Sequence, residues 1–311
     1  MGLIIMAALV MSLVVVGCET NSRAGKETTR KAAGKNQNST TVEVAYTYKT
    51  VNHKDLKIYF NFPEGWKASD RRPVIIFFFG GGWTRGTVKH FKFQAEYLAS
   101  RGIVAGRVNY RVKSRDKVTP DNCVEDARSA VRWVRKNADR LGIDPDKLIA
   151  AGGSAGGHLA ACTMIKECVE EDGDDLSIST IPQAMVLFNP VLKFDPKRIE
   201  LLGENKHLAH KISPLEHLDK NSPPALIMFG TNDPLKAQAD KYWKKAAKLG
   251  VRADKYLAEG QKHGFFNRSP WLERTLIEAD KFLASLGYLK GEPTMKVPES
   301  KEEYKSSPTR R

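Results

Sequence analysis

The sequence predicts an α/β fold: a mostly parallel central sheet with helices on both faces. Three observations carry that prediction. Short runs that are apolar at consecutive positions recur along the chain, as strands buried on both faces require. Amphipathic helical stretches separate those runs, which is the pattern of βαβ units. Glycine-rich turns fall directly after several of the runs, at the strand ends where ligands bind in such sheets.

Taken in order, residues 41–50 and 56–62 alternate apolar and polar side chains and predict an opening antiparallel hairpin. The pattern then changes. Val74-Ile75-Ile76-Phe77-Phe78-Phe79 is apolar throughout, and residues 103–108, 148–151, 184–188 and 225–229 resemble it. Residues 255–258 supply one more strand-like run. The clearest helix places Val124, Ala127, Val131, Val134 and Ala138 at spacings of three and four, which makes one buried stripe. Asp121, just after Pro120, is its expected N-cap. Residues 236–249 and 271–286 predict two further amphipathic helices. Right-handed crossovers then distribute the helices over both faces.

The length of 311 residues permits one large domain or two small ones. Apolar residues make up 41% and charged residues 28%, an ordinary globular composition with material for a sizeable core. The formal net charge is +14, most of it between residues 41 and 290. A basic surface steers anions toward it. The excess reads first as a basic solvated surface; its weaker implication is that acidic substrates fare better than neutral ones, and less so at high salt. No Lys/Arg cluster is interleaved with aromatics, so no nucleic-acid partner is expected.

Residues 3–16 form a nearly unbroken apolar run. It is shorter than the roughly 20 residues of a membrane span and has the length of a signal-peptide core. It ends Leu13-Val14-Val15-Val16-Gly17-Cys18, which is similar to a bacterial lipobox, although no Lys or Arg precedes the run. Residues 1–18 are thus expected to be a signal peptide, with Cys18 lipidated after cleavage; a plain signal peptide or an uncleaved anchor is the alternative. The protein is expected to be exported and to meet a membrane only through that lipid. Residues 19–40 hold few large apolar side chains and predict a flexible tether, and residues 291–311 a disordered tail. Residues 41–290 form the globular domain. Cys123, Cys162 and Cys168 read as buried small residues. No C-x-x-C pair gives a zinc or redox signature. Cys162 and Cys168 are expected on different faces of one helix.

Gly152-Gly153-Ser154-Ala155-Gly156 fits G-x-S-x-G between an apolar strand and an apolar helical stretch over residues 158–165. A glycine-rich turn has the same composition, but the strand–turn–helix setting is that of a nucleophile elbow. Phe79-Gly80-Gly81-Gly82-Trp83 follows the first buried strand. Backbone N–H groups of Gly80, Gly81 and Gly82 are expected to join that of Ala155 in an oxyanion hole. Chain order in such sites runs serine, acid, histidine. Asp233, in Gly230-Thr231-Asn232-Asp233-Pro234, follows a strand; a turn or cap role is its alternative. His263 follows the next strand. His53 and His90 precede the serine, and His207, His210 and His217 precede Asp233. His158 lies on the helix after Ser154, facing away from it. His263 is the histidine that fits the order.

These residues resemble the hormone-sensitive-lipase-like carboxylesterases of the α/β-hydrolase fold, including small bacterial acetyl esterases of carbohydrates. The likeness spans roughly residues 41–288 by the chain order of the motifs. It rests on Asp144-Pro145-Asp146-Lys147-Leu148 leading into Gly153-Ser154-Ala155-Gly156-Gly157-His158, on residues 126–133, and on Ser213-Pro214-Leu215. In that family the glycine loop usually begins with His, where this chain has Phe79, so the loop's side-chain support must differ. The family often carries an N-terminal helical cap. Here residues 41 onward run straight into strands, and the segment 191–222 is expected to roof the site instead.

The resemblance implies a serine carboxylesterase acting on short-acyl esters, carbohydrate esters among them, through an acyl-enzyme. No cofactor or metal is expected. A serine peptidase of the same fold and a cell-surface binding protein are the competing readings. The first usually needs a large extra domain; the second has no use for Ser, Asp and His in this order.

Overall fold

The computed structural model describes residues 42–298. The expected leader with Cys18, the expected tether, and residues 299–311 lie outside the described residues. Eight strands form one sheet: β1 (Val42–Val51), β2 (Lys54–Phe62), β3 (Arg72–Phe78), β4 (Val104–Val108), β5 (Ile143–Gly153), β6 (Ala184–Phe188), β7 (Ala225–Gly230) and β8 (Ala253–Ala258). Their spatial order is β1-β2-β4-β3-β5-β6-β7-β8. β1 and β2 form the expected hairpin, and β2 lies antiparallel to β4. From β4 to β8 every neighbouring pair is parallel.

Among the described residues five α-helices of eight or more residues accompany the sheet: α1 (Lys92–Ser100), α2 (Pro120–Lys136), α3 (Ala155–Cys162), α4 (Lys236–Leu249) and α5 (Trp271–Ser285). The period of two along β3 divides the core. Val74, Ile76 and Phe78 join Val124, Leu159 and Tyr242 on one face. Ile75 and Phe77 join Leu98, Phe282 and Leu283 on the other. Such side chains each contribute about 1.5–3 kcal/mol on burial, which is why β3 is apolar at every position from Val74 to Phe78. Among the described residues no helix is long and apolar enough to cross a membrane.

Several expectations need correcting. α2 begins two residues earlier than its expected start: Thr119, in extended conformation, is the N-cap, Pro120 takes the first helical position, and Asn122 completes a capping box. Asp121 is buried instead and accepts a 2.8 Å hydrogen bond from Asn205 Nδ2. Ala138 of the predicted stripe is buried but lies past the end of α2, in the short turn Ala138–Leu141. α3 starts at Ala155, earlier than expected, and stops at Cys162. Cys168 is therefore off the helix. Its thiol donates to Lys211 O (3.4 Å) while that of Cys162 approaches Ile212 O (3.6 Å), so both point to one segment rather than to opposite faces. The chain also stays fixed beyond residue 290. Arg101 Nη2 donates to the carbonyls of Lys290 and Gly291, and Tyr97 Oη accepts from the N–H groups of Thr294 and Met295. Residues 291–298 are thus anchored to α1 and not part of a disordered tail.

Because β3 to β8 run parallel, their carboxyl ends share one edge. The segments leaving β3, β5, β6, β7 and β8 there deliver Gly80–Gly82, Ser154, Asn189, Asp233 and His263 to one place.

Candidate active site

Ser154 leaves β5 with φ 56° and ψ −120°, a region that costs a side-chain-bearing residue of order 1–3 kcal/mol. The surrounding backbones leave no alternative. A methyl group on Gly156 would lie 2.0 Å from Phe78 O, and one on Gly152 2.4 Å from Gly156 O. Both glycines of the motif are required by that approach. Ser154 N–H donates to Phe188 O (2.9 Å), tying the elbow to β6. The serine hydroxyl stands at the N-terminus of α3, where the peptide dipoles favour negative charge.

His263 Nε2 lies 2.8 Å from Ser154 Oγ, and His263 Nδ1 lies 2.7 Å from Asp233 Oδ2. The three residues singled out by chain order are therefore in one hydrogen-bonded line. A carboxylate only accepts, so Nδ1 carries the proton and Nε2 is left to accept from the serine hydroxyl. Asp233 is buried, and its second oxygen accepts from Leu235 N (2.8 Å). It is thus a turn residue as well as the partner of His263; the two readings of this position are both satisfied. The histidine loop is held from below by Asn189, fully buried with φ 38°, whose Oδ1 accepts from Gly264 N (2.9 Å).

The glycine loop divides its donors. Gly80 N–H is already committed to His90 Nδ1 (3.0 Å), which corrects the expectation that Gly80 serves the oxyanion hole. The N–H groups of Gly81 and Gly82 have no acceptor among the described residues, and Ala155 N–H opens α3 unpaired. These three remain as donors toward the cleft. Gly81 carries φ 129°, and a methyl group there would sit 2.0 Å from Arg85 O, so the turn admits no larger residue.

His90 precedes the serine in the chain, and no motif marks its role. With Nδ1 accepting from Gly80, its Nε2–H donates to Asn267 Oδ1 (2.5 Å), and Asn267 Nδ2 donates to Gly264 O (3.0 Å). A hydrogen-bonded chain thus crosses the cleft from the glycine loop to the residue after His263. Burial holds the His90 pKa below its ordinary value, which keeps Nδ1 available as acceptor. Phe79, at the position where the family resemblance implies His, stacks on Tyr110 with ring centroids 4.0 Å apart, and Tyr110 Oη donates to Phe79 O (2.6 Å). Tyr110 and His90 thus bind the backbone at the two adjacent positions Phe79 and Gly80.

His158 is fully buried. Its Nδ1 accepts from Trp83 Nε1 (3.3 Å) and its Nε2 donates to Ile212 O (2.7 Å). Burial pushes its pKa down to about 4. It locks the glycine loop to the core and does not face the serine hydroxyl.

The cleft over Ser154 has a volume of about 540 Å³ and is lined mainly by the glycine loop, Thr84, Arg85, Asn189, Asn267 and Phe266. No residue of the 191–222 segment lines it, contrary to the expected roof. Leu202 and Ile212 of that segment are buried in the core instead, on the α2–α3 side.

Comparison with known proteins places the chain among esterases of this fold. The sequence profile described as BD-FAE matches residues 56–241. Esterase 2 of Thermogutta terrifontis, in its apo form, is 41% identical with a TM-score of 0.77; the match covers 80% of this chain and 97% of that one. Structures of that esterase include propionate-bound and butyrate-bound forms and one phosphonylated by sarin. A carboxylesterase of Mycobacterium tuberculosis is 25% identical over 219 residues, covering 64% of this chain and 68% of that protein. A probable isoprenylcysteine alpha-carbonyl methylesterase of Arabidopsis thaliana is 26% identical over 217 residues, covering 62% of this chain and 45% of its own. The chain spans about half the length of the plant methylesterases it matches.

Proposed function

The chain belongs to the BD-FAE family, among the hormone-sensitive-lipase-like carboxylesterases of the α/β-hydrolase fold, and on that premise we propose that it hydrolyses short-acyl carboxylic esters, acetyl esters of carbohydrates among them. The observation that carries this reading is the line Ser154–His263–Asp233 at the head of α3, beside three unpaired N–H groups.

The chemistry follows from that line. His263 Nε2 takes the hydroxyl proton as Ser154 Oγ attacks the ester carbonyl carbon. Asp233 holds the imidazolium through Nδ1–H. The carbonyl oxygen, now an oxyanion, meets the N–H groups of Gly81, Gly82 and Ala155, each such donor contributing about 3 kcal/mol to transition-state stabilisation. His263 returns the proton to the departing alcohol. Water then attacks the acyl-serine, giving a proton to Nε2; the acyl carbon–Oγ bond breaks as Nε2 passes that proton to Ser154 Oγ, and the acid leaves with Ser154 restored.

Short acyl groups are favoured by the lining, in which Phe266 is the one large apolar side chain. The propionate and butyrate complexes of the Thermogutta terrifontis esterase point the same way. The open cleft leaves room for a bulky alcohol such as a sugar. Release of acetate from a panel of acetylated carbohydrates, set against peptide substrates, tests the reading. Acetate release supports it, and cleavage of peptides alone would replace it with the peptidase reading.

Export and lipidation at Cys18 complete the proposal, on the strength of the apolar run ending at Gly17-Cys18. Cys18→Ser should abolish incorporation of labelled fatty acid; equal label in the variant would refute lipidation there.

A further inference from the structure

Arg85 is exposed at the rim of the cleft over Ser154. Among the described residues no carboxylate, carbonyl or aromatic ring engages its guanidinium. The lining contains no Asp or Glu; the carboxylate of Asp233 is buried behind His263. The backbone that carries Arg85 is fixed. Its N–H donates to Gly81 O (3.2 Å), Lys113 N and Ser114 N donate to the carbonyls of Trp83 and Thr84 (3.0 Å each), and Arg115 Nη1 donates to Gly86 O (2.6 Å). An uncommitted, permanently charged fork therefore stands on a rigid turn directly beside the oxyanion donor Gly81. Cations elsewhere in this chain, such as Arg101, Arg111 and Arg128, are matched to carboxylates.

We propose that Arg85 selects esters that carry a carboxylate or a comparable anionic group, which pairs with its guanidinium when the ester carbonyl sits over Ser154. The pairing uses the match between the planar guanidinium and a carboxylate. Nothing acidic in the cleft competes for it. This inference rests on the esterase reading for turnover, but not for binding. The anion belongs either to the alcohol, as in an acetylated uronic acid, or to the acyl group, as in a succinyl monoester.

Both sources are tested by comparing kcat/KM for acetylated glucuronic acid with its neutral methyl ester, and for a nitrophenyl hemisuccinate with nitrophenyl butyrate. In one pair or the other the anionic member should lead by about tenfold at low salt, and the lead should shrink near 0.5 M salt. Arg85→Gln should bring that ratio below about twofold, and Arg85→Lys should recover part of it because charge returns without the fork. A ratio that Arg85→Gln leaves unchanged, or an equal loss on anionic and neutral esters, overturns the proposal; the latter would make Arg85 a support of the glycine loop. Calorimetric binding of the same anionic and neutral compounds to Ser154→Ala, with and without Arg85→Gln, separates the two claims. An Arg85-dependent preference in binding without turnover in the wild type would sustain the anion site and defeat the esterase reading. Absence of any preference in binding and turnover defeats the anion site alone.

Discussion

The two banks of the cleft are held in different ways. On one bank, Ser154, His263 and Asp233 meet through their side chains, each delivered by a strand end in a fixed chain order. On the other, the glycine loop presents only backbone, and its shape is imposed by His90, Tyr110 and His158 from elsewhere in the chain. Side-chain chemistry identifies the first bank; long-range packing identifies the second. The contrast teaches that functional groups and the groups that aim them carry different sequence signals, and that substitutions on the two banks should fail differently.

The largest effects belong to the first bank. Ser154→Ala and His263→Ala should each lower kcat on a nitrophenyl acetate by at least about 10⁴-fold while leaving the thermal transition nearly unmoved. His158→Ala should do the reverse: the folded fraction keeps turnover within about tenfold, while stability falls by several kcal/mol as a buried ring and two hydrogen bonds are lost. Turnover lost with His158 but kept without His263 would reverse the assignment of the two histidines.

The second bank should give an intermediate loss. His90→Ala frees Gly80 N–H and cuts the link to Asn267. It is expected to lower kcat about 10- to 100-fold with little change in KM, because the loop binds the oxyanion and not the ground-state ester. His90→Gln, which can offer an acceptor to Gly80, should recover part of the loss. A change confined to KM would place His90 in substrate binding instead.

A smaller effect concerns stability against pH. His158 takes up a proton less readily folded than unfolded, with its pKa held near 4 by burial against an ordinary value of 6.5. Between those pH values the unfolded chain binds the extra proton, so stability is fully present above about 6.5 and declines as pH falls toward 4, by about 3 kcal/mol at the acid end. Denaturant titrations of the wild type and His158→Gln across that window should show a shallower acid decline in the variant. Identical slopes would remove His158 from the account.

The fold was legible in the sequence because β3, β6 and β7 are apolar at nearly every position and the helices between strands show clear periods; β4, with Arg107 buried within it, carries the weaker signal. Chain order alone picked His263 from seven histidines. What escaped was local competition and distant contact. Asp121 and Thr119 both suit a helix start, and the capping box decided for Thr119. Gly80 looks the same as Gly81 and Gly82 until His90, ten residues on, claims its N–H. Residues 191–222 have the length of a lid, but their apolar side chains find a place in the core. Cys168 left the helix because α3 stops at Cys162, which brought two thiols to the same segment.

The smallest expected effect is in substrate length. Each CH₂ buried in an apolar pocket would add about 0.8 kcal/mol to binding. This cleft has little apolar wall, so kcat/KM should favour acetyl or remain flat through butyryl and fall by octanoyl. A steady rise to octanoyl would show a deep acyl pocket and shift the assignment toward a lipase.

The central claim is that Ser154 is the nucleophile, activated by His263 at the head of α3. Treatment with an alkyl fluorophosphonate, followed by intact-mass and peptide mass spectrometry, tests it most directly. One adduct per chain is expected, located on Ser154, with loss of ester turnover in step with labelling, and no adduct on Ser154→Ala. Labelling of another residue, or full turnover after Ser154 is modified, would contradict it.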